Sequence, residues 1–132
     1  MLARSIVAAA ALAMAIAGFA QGGAAQPQGI KRTVLQRFDV PGTRYEAVIG
    51  LSELPPNASS GRHSHSGPEG GYVLEGGATI LVDGKPPLIL KPGQSYQLAA
   101  GVVHDVRSGD SGVKLLVTWI VAKGGPLATP AH

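Results

Sequence analysis

Glycine and proline punctuate this chain so often that short strands joined by tight turns are nearly its only option. Its 19 glycines and ten prolines fall between brief apolar runs, the habit of an all-β protein. Val34–Phe38 predicts a first strand, stopped by Asp39 and the Pro41-Gly42 turn. Tyr45–Leu54 alternates and predicts a second, with Tyr45, Ala47, Ile49 and Leu51 on one face. Tyr72–Glu75 follows, and Asp83-Gly84 marks a two-residue hairpin between Ala78–Val82 and Pro87–Leu90. After the Pro92-Gly93 turn come Ser95–Leu98 and Val102–Arg107, parted at Gly101, and then turn material at Ser108–Gly112. Val113–Ala122 is the longest apolar run and predicts a strand buried on both faces. About nine strands result, with no helical periodicity beyond Gln26. A closed barrel or two-sheet jelly roll would remove or shorten their edges. Trp119 and Tyr72 are expected in its core or wall.

The chemistry concentrates in Gly61–Gly76, which reads G-R-H-S-H-S-G-P-E-G-G-Y-V-L-E-G. Residues two apart on a strand share a face, so His63 and His65 project side by side while Ser64 points away. The Gly67-Pro68 turn lets the chain return the Glu69 carboxylate toward the same pocket. Two imidazoles and a carboxylate from adjacent strands make most of a transition-metal site, and His104, the one other internal histidine, is the candidate fourth ligand. The alternative is a pair of exposed strand histidines with a solvated loop acid. Against it stands the rarity of histidine, four in the chain, the last of them the terminal His132 in an expected frayed tail.

The chain of 132 residues is expected to form one domain over 30–123, with a linker at Gln26–Gly29 and an irregular tail over 124–132. Residues 1–25 read as a signal peptide: Arg4 precedes the small-apolar run Ile6–Ala20, and small residues suit cleavage after Ala20 or Ala25. An uncleaved anchor is the alternative, although the run is short for a membrane span. A periplasmic or secreted protein is therefore expected, free of the membrane after cleavage, and the absence of a twin arginine favours export before folding. A net charge of +3 from scattered Lys and Arg, without a basic run, excludes nucleic acid as a partner. With no cysteine the chain has neither disulfides nor thiolate metal sites.

These residues resemble the motifs of the cupin superfamily. His63-x-His65, three residues, Glu69, six residues and Gly76 match the first motif in spacing, with Asn57 in the place of its leading glycine. Asn, like Gly, tolerates left-handed backbone geometry. Gly93, Gly101 and His104 match the second motif, with Ala99 standing for its proline and Ser108 for its asparagine. The resemblance spans about Tyr45 to Val121 and implies a cupin-type β-barrel, the double-stranded β-helix or jelly roll. It implies a metal, iron or manganese by family, and a possible homodimer, for which an edge near Val34 could serve. Dioxygenases, isomerases, decarboxylases, lyases, storage proteins and sensors all share these motifs, so they leave the activity open.

Three neutral imidazoles and one carboxylate leave one divalent transition metal (Fe, Mn, Zn, Cu or Ni) with a local charge of about +1 and two open octahedral positions. Such an ion binds a small oxygen-rich ligand and acts as a Lewis acid. An exported chain meets its metal outside cytoplasmic control, which favours zinc or copper. Val102 and Val106 beside His104, with Gly71 and Val73 after Glu69, are expected to share the ligands' faces, and no inward Lys or Arg is expected. Glu75 and Tyr96 are the candidate acid–base groups; the plainer reading makes Glu75 a solvated strand-end acid and Tyr96 a packed aromatic. Two functions follow: a metal-dependent, dioxygenase-like oxidoreductase acting on a small molecule, or a non-catalytic module that binds a metal or small ligand. A structural barrel is the third reading, disfavoured because structural metal sites are normally closed by protein ligands.

Overall fold

The computed structural model describes residues 29–132; the expected signal peptide lies outside them. Eight strands and no helix occur among the described residues. They are β1 (Lys31–Asp39), β2 (Tyr45–Leu54), β3 (His63–Ser64), β4 (Glu69–Val82), β5 (Leu88–Leu90), β6 (Ser95–Leu98), β7 (His104–Ala122) and β8 (Thr129–Pro130). The spine is the antiparallel β4–β7 pair, which runs from Glu69↔Trp119 to Val82↔His104. The second half of β7 also pairs with β2, and β2 pairs with β1. At the other end of β7, His104 pairs with His63 of β3. β5 and β6 extend β4, so the sheet curls around its two long strands as a jelly roll.

Eight strands replace the expected nine because two predicted breaks are bends, which merges four strands into two, while the tail adds β8. β7 passes without interruption through Ser108–Gly112, read above as a turn, and β4 joins Glu69 to Val82. Register shifts between Val73 and Glu75 and between Gly76 and Ala78 mark bulges, which bend a strand without ending its ladder. Gly76 and Gly112 both have positive φ, and a Cβ on Gly76 would overlap the Gly112 carbonyl. The glycines therefore allow the close crossing at the bend.

Three other expectations are corrected. β7 is not buried on both faces: Val113, Leu115, Val117, Trp119 and Val121 point inward, while Leu116 is exposed. On β2, Tyr45, Ala47, Ile49 and Leu51 share one face as expected, and the pocket side carries Val48, Gly50, Ser52 and Leu54. A Cβ at Gly50 would press on both the Thr33 carbonyl and the Trp119 ring. The hairpin around Asp83-Gly84 pairs only from Ile80↔Leu88 outward, since Pro86 and Pro87 have no N–H to donate. Tyr72 lies on the surface, while Trp119 is buried in the core as expected.

The tail is the largest departure. Thr129–Pro130 forms β8 on the outer side of β3, in register Ser64↔Thr129 and His63↔Pro130, and the Ala131 N–H donates to the Arg62 carbonyl at 3.0 Å. β3 is only two residues long, so β7 on one side and the tail on the other hold the histidine segment in place.

Candidate metal centre

His63, His65, Glu69 and His104 meet inside the barrel, all buried. The imidazole centroids are 4.3 Å apart for His63 and His104, 5.0 Å for His63 and His65, and 5.4 Å for His65 and His104. One ring nitrogen from each histidine lies within 4.8 Å of the other two. Glu69 opens β4 opposite Trp119, and its Oε2 is 2.6 Å from His65 Nε2 while its Oε1 is 3.6 Å from His104 Nε2.

Backbone carbonyls set the protonation of each ring. The Nδ1 of His63 faces the Gly61 carbonyl at 2.8 Å, that of His65 the Leu127 carbonyl at 2.6 Å, and that of His104 the Val102 carbonyl at 3.0 Å. A carbonyl can only accept, so each Nδ1 carries the proton and donates it. In the neutral tautomer this leaves, the lone pair sits on Nε2, the atom turned toward the cavity and the form that binds a metal. Burial holds the His63 imidazole down to about 4, with His104, Arg32 and His65 adding to the effect against the Gly61 carbonyl.

The donor set fits a cation. His65 Nε2, His104 Nε2 and Glu69 Oε2 are all buried without a hydrogen-bond partner. With His65 neutral, the 2.6 Å approach of its Nε2 to Glu69 sets two acceptors against each other unless a proton or a cation lies between them. One added proton would satisfy His65 and leave His104 orphaned, whereas a metal ion among the Nε2 atoms and the carboxylate satisfies them all. Burial pushes the Glu69 carboxyl up, but without a metal a proton donated by His65, positive charge on the His104 and His65 rings, and the Tyr96 hydroxyl outweigh that and hold it below the usual range.

Two residues complete the polar lining. Tyr96 of β6 lies beside Glu69, and burial, followed by the Glu69 charge, pushes its phenol far up, so it stays protonated. Its ring lies against Gly71, where a Cβ would overlap it. Arg32 of β1 also reaches the cavity, which corrects the expectation of no inward Arg. β1 begins at Lys31, earlier than Val34, and pairing Arg32 with Ser52 carries the guanidinium inward. Ile30 precedes Arg32 by two residues and lines the same cavity; that i, i+2 pattern was the available signal.

Apolar side chains of Leu54, Val106, Val113, Leu115, Val117 and Trp119 close the walls. The free space among these side chains is about 10 Å³, room for one water-sized occupant beside the donors, and the pocket is open on one side. Val106 faces the cavity as expected, whereas Val73 belongs to the core and Val102 contributes its carbonyl. Glu75 is exposed on β4 opposite Lys114 and does not reach the cavity. Asn57 adopts φ of 53°, the left-handed geometry its place in the motif requires. Ser108 Oγ accepts from the Ala58 N–H at 2.9 Å and donates to the Pro55 carbonyl at 2.6 Å, tying down the loop before β3.

The fold recurs in solved structures. The DMSP lyase DddQ from Ruegeria pomeroyi superposes with TM-score 0.64 at 22% identity, over 78% of this chain and 52% of that one. A conserved double-stranded β-helix protein from Klebsiella pneumoniae gives 0.60 at 18% identity, over 80% and 86% of the two chains. A Bacillus subtilis oxalate decarboxylase variant gives 0.62 at 16% identity, over 78% of this chain and 28% of the other. The chain thus spans about half the length of the DMSP lyases it matches, 44% and 52%. None of the curated proteins matches it. The family model described as "Cupin domain" matches residues 50–121, more than half of the chain and every donor at the centre; the protein belongs to the cupin family.

Proposed function

We propose that this cupin is an exported, mononuclear-metal protein that acts on a small oxygen-rich compound, as a dioxygenase-like oxidoreductase. One observation carries the reading: three Nε2 lone pairs, each fixed by a carbonyl behind its ring, converge beside an orphaned carboxylate oxygen. His63, His65, Glu69 and His104 would hold one divalent transition metal (Fe, Mn, Zn, Cu or Ni), leaving open positions on it. A metal bound there supplies Lewis acidity to an oxygen ligand and, if redox-active, reactivity toward dioxygen. The protein's own groups do the rest. The apolar walls exclude water, Arg32 offers positive charge, and the Tyr96 hydroxyl keeps its proton as a donor beside Glu69. Export rests on residues 1–25, and a homodimer would use the outer edge of β1, where Val34, Leu35 and Phe38 are exposed.

The small cavity favours a second reading, a non-catalytic binder of a metal or small ligand. The test is metal content of protein purified from the periplasm, followed by oxygen uptake with flavonols, diketones and catechols. About one metal per chain, lost in His104→Ala, with substrate-dependent uptake supports the enzyme. Metal without turnover leaves the binder, and a protein that cannot be loaded with metal ends both the enzyme and the metal binder. Retained Met1 in the N-terminal mass would end the claim of cleavage.

A further inference from the structure

The cavity contains a cation with no anion of its own. Arg32 Nε is buried without a hydrogen-bond partner, and among the described residues no carboxylate lies within ion-pair distance of this guanidinium. Three other arginines are paired, Arg37 with Glu46, Arg62 with Asp83 and Arg107 with Asp105, and Arg44 is exposed to water. Arg32 as a whole is half-buried, and the buried Nε–H is the part of the fork left uncompensated. Glu69 senses Arg32 across the cavity but is committed to the histidine cluster.

The Arg32 Nε–H, which no protein group accepts, is therefore available to an entering anion. Guanidinium is a planar fork of donors that matches the two oxygens of a carboxylate. The walls from Ile30, Leu54, Val106 and Val113 leave little room around it, which restricts the anion to a few heavy atoms.

We propose that Arg32 is the anion-binding residue of this pocket and makes it selective for small carboxylates. The inference narrows the ligand class of the proposed metal site, and its test separates the two. Acetate and acetamide have the same shape and differ in charge, so they serve as probes. Binding of each is measured by thermal shift and calorimetry on metal-loaded and metal-free protein, with metal content determined in every sample. Expected is acetate binding with little or no acetamide binding, weakened about 10- to 100-fold in Arg32→Gln, the weight of a hydrogen bond to a charged group. Arg32→Lys keeps the charge and loses the fork, so an intermediate affinity is expected. Equal binding of acetate and acetamide by the wild type overturns the proposal without any variant. Acetate affinity unchanged in Arg32→Gln, or in Arg32→Lys should the glutamine variant not fold, also overturns it. A wild type that takes up no metal yet discriminates acetate through Arg32 defeats the metal reading and sustains this one.

Discussion

Deleting the tail tests how far the metal centre depends on a segment that contributes no ligand. Removing residues 124–132 deletes the Leu127 carbonyl, which accepts the His65 Nδ1 proton at 2.6 Å, and β8, which flanks the two-residue β3. His63 and His104 keep their carbonyl partners on Gly61 and Val102, so one ring of three loses its fixed tautomer and orientation. Loss of such a partner typically weakens metal binding about 10- to 100-fold, or roughly 1.4–2.7 kcal/mol. The β2–β7–β4 sheet involves no tail residue, so the truncated barrel should still fold. The assay is chelator competition for Zn(II) with the wild-type and truncated chains, each checked for a cooperative thermal transition. Leu127→Ala is the control: it keeps the carbonyl and removes part of a half-buried side chain. It should cost about 1 kcal/mol of stability and change metal affinity by less than about threefold. A truncated protein that folds and holds Zn(II) as tightly as the full chain would refute the argument that the Leu127 carbonyl orients His65.

Other expectations follow from single positions. In metal-free protein the His63 value of about 4 lies below its ordinary 6.5, so the unfolded chain binds the extra proton between these values. Stability is therefore full above about pH 6.5 and falls as pH drops toward 4; melting temperatures across that window should flatten in His63→Gln, and an unchanged slope would count against the assignment. Asn57→Val, which forces a β-branched residue into φ of 53°, should cost about 1–2 kcal/mol in urea unfolding, whereas Asn57→Gly should stay within about 0.5 kcal/mol. Ser108→Ala removes both ties to the loop before β3 and should cost about 1–3 kcal/mol. Gly71→Ala must displace the Tyr96 ring and should cost about 1–3 kcal/mol; a neutral effect would show that the ring moves freely.

What was legible in the sequence, and what was not, divides along the line between side chain and backbone. The meeting of His63, His65, Glu69 and His104, the proposed ligands, could be read because ligation needs particular side chains, and spacing on strands dictates which of them share a face. The orientation of His65 could not, because its partner is a carbonyl, which every residue has; nothing in the letters around Leu127 distinguishes that one. Glycine misled for a related reason. In Ser108–Gly112 it was taken as a turn, yet Gly112 lets β7 bend against Gly76 while the strand continues, and only the partner strand distinguishes the two uses. On β2, Gly50 and Ser52 face inward because Trp119 and the polar cavity need them there, so hydrophobic alternation alone does not mark the cavity side. Arg32 was missed at a strand end, where pairing with Ser52 rather than local preference sets the boundary. The residues that give the site its ligands are thus locally encoded, whereas those that set its tautomers, charge and volume are assigned by long-range pairing. A cupin could therefore keep its ligand motif intact while changing which ligand it admits, through substitutions on β1 or in the tail, far along the chain from any histidine.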